Sequence, residues 1–185
     1  MQLYFDFTKG ARRSDILEQL RAKIDDASWA AITIEAAKAG VPKGHHHGIV
    51  EVRRTIEGLR VGRGVKEDLS AVYEILARAE AQVHGCEVDE THFHEVGNGE
   101  AILNSLIICL SISCLHPDFI TASPVQTGSG HIECAHGLMD VPAPATAAIL
   151  AMGIPTCDEK LEGELCTPTS AAIIKHYVQE FRTFG

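Results

Sequence analysis

The sequence predicts a single α/β domain, a mixed sheet flanked by helices with a proline- and glycine-rich loop region, and leaves a segregated α+β layout open. Three observations carry this. Short β-like apolar runs alternate with longer stretches of helical period, 185 residues suit one domain, and 45% hydrophobic residues supply a sizeable core.

Residues 3–7 open as an apolar strand, and Ser14-Asp15 can cap a helix whose apolar positions Ile16, Leu17, Leu20 and Ile24 recur at helical spacing. The β-branched run at 31–35 reads as a second strand, after which Gly40, Pro42 and Gly44 mark a loop carrying His45, His46 and His47. Residues 49–59 read as a helix. A longer one over about 66–83 rests on Leu69, Val72, Tyr73, Leu76 and Ala79, with Glu67 and Asp68 near its first turn and His84 at its end. An extended segment through His92 and His94 follows, then an apolar helix over about 99–114 and a strand at 118–122. Five prolines between 123 and 170 indicate ordered loops, interrupted by a strand at 131–134 with its turn at 135–137. A final helix is expected over 169–181, with Ala172, Ile173, His176 and Val178 on or near its buried side.

A formal charge of −9 argues against a nucleic-acid or anionic-membrane partner, since no basic stripe is available to neutralise phosphates. The apolar run at 101–110 is too short, and too interrupted by Asn104 and Ser105, to span a bilayer. Six cysteines without a Cys-x-x-Cys pair or a secretory segment read as reduced thiols of a cytoplasmic protein, with Cys109 and Cys114 packed as small hydrophobes.

The chemistry concentrates in residues 84–97, where His84, Cys86, His92, His94 and Glu95 stand among further acids. In an extended segment a His-x-His step puts both rings on one face, and neutral imidazoles with a carboxylate suit zinc, nickel or iron. The alternative is a polar strand whose histidines are satisfied locally. His45, His46 and His47 read as a metal-capture tract or an exposed polar turn, because consecutive side chains diverge. His131 and His136 are ligand or acid–base candidates if their loop folds over the first cluster. Ser129 and the Thr167-Pro168-Thr169 run offer hydroxyls and amides for an anion, the latter at a helix N-terminus. Asp6 and Asp15 could place carboxylates at a cleft edge, and helix capping explains Asp15 equally well.

Gly44-His45-His46-His47, Ala79 to Gly85, His92-Phe93-His94-Glu95-Val96-Gly97, Ala122-Ser123-Pro124, Gly128-Ser129-Gly130, Ala135-His136-Gly137, Val141-Pro142-Ala143-Pro144-Ala145-Thr146 and Gly163-Glu164-Leu165-x-Thr167-Pro168-Thr169 occur in an order that resembles the nickel-insertion proteins of lactate racemase maturation. The resemblance covers about 42–175, with a weaker echo at 6–17. It departs from the family pattern at 6–15, where two arginines replace part of an acidic, glycine-rich loop. It departs again where Glu100 and Asn104 stand in place of aspartates, and at Ser170.

The resemblance implies a nickel chelatase of the lyase class, or a non-catalytic divergent part of one. Such a protein installs Ni(II), its substrate metal, into a pyridinium-3,5-bisthiocarboxylate mononucleotide to give the nickel-pincer cofactor. Residues 1–185 would form the N-terminal domain, with Mn(II) or Mg(II) and CTP used through a C-terminal domain on a partner chain, and a homo-oligomer is expected. On this reading His84, His92, His94, Glu95, His45, His46 and His47 hold metal. Ser129, His131, Thr167 and Thr169 line the acceptor pocket, and Glu95, His136 and Glu100 are the catalytic groups. Two other functions compete: a nickel or zinc carrier or storage domain, and a metal-dependent hydrolase with Glu95 as base.

Overall fold

In the computed structural model, which describes residues 1–44, 48–93, 97–134 and 137–182, the chain builds on β1 (Gln2–Phe5). Leu3 and Phe5 alternate into the core, and the Phe7 ring stacks on Phe5 at 5.5 Å. β1 pairs in parallel with β2 (Phe119–Ala122), and β2 pairs in parallel with the short β7 (Glu180–Phe181), giving the order β1-β2-β7. Parallel neighbours require crossovers, so helices must fill the intervals between these strands. They are α1 (Arg13–Arg21), α2 (Asp26–Lys38), α3 (Ile49–Gly58), α4 (Arg63–His84) and α5 (Gly99–Leu115) before β2, then α6 (Pro144–Leu150) and α7 (Pro168–Tyr177) before β7.

The mixed α/β class expected from the sequence is present, with parallel and antiparallel pairing divided among three groups of strands. Beside the parallel sheet, β3 (Gly128–Ser129) pairs antiparallel with β6 (Gly163–Glu164), and β4 (His131–Cys134) with β5 (Gly137–Asp140).

α4 is the centre of the packing. Its 22 residues span about 33 Å, and Val65, Leu69, Val72, Tyr73, Leu76 and Ala79 recur on a face covered by α3, α5, α6 and α7. It begins at Arg63, earlier than its pattern suggested, so Glu67 and Asp68 fall in the second turn. There Asp68 meets His176 of α7 at 2.9 Å. α5 is apolar around most of its circumference and accordingly buried; its buried Ser105 and Ser111 donate to the carbonyls of Ala101 and Ile107, four residues back.

Residues 31–35 are not a strand but the middle of α2. The Asp25 carboxylate accepts from the Ser28 N–H to start the helix, and Ile32, Ala36 and Ala39 are buried at spacings of four and three, while Ile34 is 53% exposed. A β-branched run follows the surface it packs on. The final helix ends at Tyr177 instead of continuing to 181, because Gln179 and Arg182 donate their N–H groups to Ile120 and Ala122 and extend the parallel sheet. The stretch at 123–170 is more ordered than a set of loops. Pro144 occupies the first turn of α6, where its missing N–H costs nothing, and four short strands pair around it.

Cys109 is fully buried, whereas Cys114, one turn further along α5, is exposed, so only the first packs as the sequence suggested. Burial pushes the Cys109 and Cys166 thiols from their ordinary 9.0 up to about 12. With folded values above unfolded ones, the two thiols contribute stability that is full below pH 9 and is lost as pH rises toward 12. Alkylation at pH 8 followed by mass spectrometry should therefore label Cys114 in the native protein and reach Cys109 and Cys166 only in denaturant. Equal native rates at all three positions would contradict the packing.

Candidate metal-handling site

The triple-histidine tract and the His92–Glu95 segment are far apart in sequence, and the described residues on either side of them are joined by backbone hydrogen bonds. Ahead of the tract, the Gly44 carbonyl accepts from the Gly99 N–H at 2.9 Å. Behind it, Gly48 forms an antiparallel bridge with His92, and the Ile49 N–H reaches the Thr91 carbonyl. Both ends of residues 45–47 are thus tied to one stretch, 91–99. His45, His46, His47, His94, Glu95 and His136 themselves lie outside the described residues.

The anchoring strip is set by local sequence. Thr91 and Phe93 are buried, with Phe93 edge-on to Tyr73 at 6.1 Å, and the alternation leaves His92 on the exposed side. Asn98 then caps α5 by accepting from the Ala101 N–H at 2.7 Å. A Cβ on Gly99 would stand 2.1 Å from the Pro42 carbonyl oxygen, so the absence of a side chain is what lets the 42–44 segment cross the start of α5. Between α2, this segment and the first turns of α5 lies a cleft of about 550 Å³, whose lining includes Ala37, Val41, Lys43, Asn98, Glu100 and Leu103.

Arg53 of α3 fixes the other side. Its guanidinium donates to both oxygens of Glu74 on α4, at 2.6 and 2.9 Å, and to Asp89 in the 3₁₀ turn Val88–Glu90 that links α4 to the His92 strip. These partners hold its charge more firmly than usual. No local pattern marked Arg53, since its two partners, Glu74 and Asp89, come from separate parts of the sequence. Asn98, by contrast, carries a readable capping signal ahead of an apolar run.

His84 is the last residue of α4, as the pattern predicted. The helix ends on Gly85 in the left-handed region (φ 65°), and the exposed His84 imidazole lies 3.5 Å from Glu80. Among the described residues no three His, Cys, Asp or Glu side chains stand together as a metal site. Of the proposed nickel ligands only His84 and His92 are among the described residues, and the segment through the 3₁₀ turn Val88–Glu90 connects them.

The proposed acceptor residues sit elsewhere. His131 pairs with Asp140 at 3.0 Å across the exposed β4–β5 hairpin. Ser129 donates its hydroxyl to the Leu161 carbonyl at 2.8 Å. Thr167 and Ser170 form a reciprocal cap at the start of α7, and Thr169 is buried. This region adjoins the carboxyl end of the sheet, because the Leu165 N–H donates to Thr127 and the Leu165 carbonyl accepts from Ala11. Asp6 and Asp15 both serve local turns. Asp6 accepts from the Thr8 hydroxyl and amide, which hold its carboxyl below the usual range, and Asp15 accepts from the Arg12 N–H. Two residues beyond Ala11, Arg13 at the start of α1 reaches the Ala101 carbonyl, so this short stretch touches the approaches to both α7 and α5.

A family model described as "Nickel insertion protein" matches residues 7–185. The chain belongs to that family. A Staphylococcus saprophyticus protein named pyridinium-3,5-bisthiocarboxylic acid mononucleotide nickel insertion protein is 40% identical over 131 residues, 71% of this chain and 33% of its own length. Proteins of the same name from Geobacillus kaustophilus and Desulfitobacterium hafniense are each 38% identical, over 74% and 77% of this chain and 32% and 35% of theirs. The chain therefore spans about a third of the length of the curated relatives it matches. No solved structure matches it. No helix among the described residues is long and apolar enough to cross a membrane.

Proposed function

We propose that this chain is the nickel-handling part of a nickel insertion protein, delivering Ni(II) to a pyridinium-3,5-bisthiocarboxylic acid mononucleotide. The names of its relatives support the reaction. The observation that carries the reading is the stitching of both flanks of His45–His47 to the strip that contains His92 and precedes His94 and Glu95. The described residues flanking two histidine-rich segments of separate sequence origin are thereby joined by backbone hydrogen bonds, which supports a shared metal role.

In the proposed mechanism His45, His46 and His47 recruit the ion, and His84, His92, His94 and Glu95 hold it as neutral imidazoles and a carboxylate. Nickel(II) binds thiocarboxylate sulfur more strongly than imidazole nitrogen, so two acceptor sulfurs displace ring ligands in turn and the metal changes hands without changing oxidation state. Each histidine released is free to take up a proton. Glu95, His136 and Glu100 supply the acid–base groups, and the region of Ser129, His131, Thr167 and Thr169 is one candidate seat for the acceptor's anionic groups. The divalent helper ion and nucleoside triphosphate that the resemblance implies are not placed on the described residues. Those helpers are assigned to a C-terminal domain or partner chain, and no step is routed through them.

Calorimetric titration of tag-free protein with Ni(II), beside a variant carrying both His92→Ala and His94→Ala, tests this. The variant should lose roughly 100-fold or more in affinity at unchanged helix content, as expected when two ligands of one ion are removed together. Unchanged nickel binding would sink the ligand assignment. Nickel binding without any acceptor binding would favour the carrier reading.

A further inference from the structure

We infer that the cleft between α2, the 41–44 segment and the first turns of α5 seats the acceptor as a flat, cationic heteroaromatic ring with acidic substituents, that is, a pyridinium mononucleotide. The inference rests on the nickel-insertion reading and adds a location for its organic substrate. Four observations converge on it. The volume, about 550 Å³, lies within the usual range for small-molecule sites. Half of its lining is apolar, with Ala36 and Ala37 of α2 beside Val41, Pro42 and Leu103, as suits an aromatic ring. Its charges come as one of each sign: Glu100, suited to the ring's positive nitrogen, and Lys43, suited to a phosphate or thiocarboxylate. Both are exposed, and neither is engaged in an ion pair among the described residues.

The fourth observation is position. Gly44 lines the cleft and is the residue immediately before His45, and its carbonyl is bonded to Gly99. A ring held here presents its acidic arms within reach of the chain that begins the histidine tract. This departs from a seat at Ser129, His131, Thr167 and Thr169, where Ser129 and Thr167 already serve local hydrogen bonds.

The test titrates the full chain with nicotinic acid mononucleotide, a stable pyridinium carboxylate nucleotide, by calorimetry. Ala37→Trp places an indole in the cleft from an exposed helical position, and Glu100→Gln removes the negative charge at another exposed one, so neither touches the core. Ala37→Trp should weaken binding roughly tenfold or more by filling the seat, and Glu100→Gln about fivefold by removing one partly solvated charge pair. Glu133→Gln, at an exposed position of β4 outside both seats, should bind like the parent, and His131→Ala probes the other seat. Weakening by His131→Ala with full binding by both cleft variants would overturn the location and leave the nickel reading intact. No probe binding by the parent, with Ni(II) binding retained, would overturn it as well. Loss of Ni(II) binding by the His92 and His94 variant is read separately and bears only on the metal assignment.

Discussion

Replacing Gly99 by Ala should lower the melting temperature by roughly 6–12 °C and weaken both Ni(II) and acceptor binding, although the new methyl group touches no proposed ligand. Glycine is not needed at this position for its backbone angles. It is needed because a Cβ would stand 2.1 Å from the Pro42 carbonyl oxygen and 3.3 Å from its carbon, both backbone atoms that no rotamer change can move aside. Relief requires the 42–44 segment to retreat from α5, which breaks the hydrogen bond from the Gly99 N–H to the Gly44 carbonyl. A lost hydrogen bond of about 1 kcal/mol adds to an overpacking cost of about 1–3 kcal/mol. The same retreat widens the cleft and releases one anchor of the histidine tract. Gly64→Ala is the comparison, since Gly64 sits in α4 with open space around its Cβ position, and alanine there should be neutral or stabilising by up to about 1 kcal/mol. A Gly99→Ala protein that melts and binds like the parent would show that this crossing is not a fixed contact.

How far the sequence could be read depended on whether the deciding contact was local. The pattern Leu69, Val72, Tyr73, Leu76 located α4, and His84 at its end followed from that. The core strands at 2–5 and 119–122 were equally visible, although their parallel pairing was not, because the partners are separated by five helices. Local propensity misled at 31–35, where Ile32, Thr33 and Ile34 suggested a strand. The cap by Asp25 and the buried spacing of Ile32, Ala36 and Ala39 were the competing signals, and burial against α5 decided the outcome.

The candidate site divides in the same way. The helix start at Thr167 was legible because its cap lies within a few residues. That Gly44 and Gly48 bracket a tract tied to 91–99 depends on bonds between residues some 40 to 55 positions apart, and no periodicity encodes them. Arg53 illustrates the point most plainly. As a single basic residue on a helix it carries no signal, yet its guanidinium joins α3, α4 and the turn leading to His92. One departure from the family pattern also acquires a local reason, because Ser170 completes the reciprocal cap with Thr167.

The second large effect is expected at Gly128, where alanine should cost about 3–5 kcal/mol, a large share of the 5–15 kcal/mol that holds a typical domain together. Two penalties coincide there. Its φ of +85° is one that L side chains rarely adopt, and a Cβ would lie 1.8 Å from the Gly163 carbonyl oxygen and 3.0 Å from the Leu165 nitrogen across the β3–β6 ladder. Separating that ladder pulls on Leu165, which binds Thr127 through its N–H and Ala11 through its carbonyl, and which stands two residues before the Thr167 cap of α7. Gly130→Ala separates the two penalties, because Gly130 shares the positive φ, at +99°, but has nothing within 4 Å of its Cβ position. It should lose only the conformational part, about 1–2 kcal/mol. Urea unfolding of both variants reads the difference directly. A Gly128→Ala midpoint equal to that of Gly130→Ala would mean that the ladder yields without cost, and that the start of α7 is not held in place by the close approach of Gly128 to Gly163.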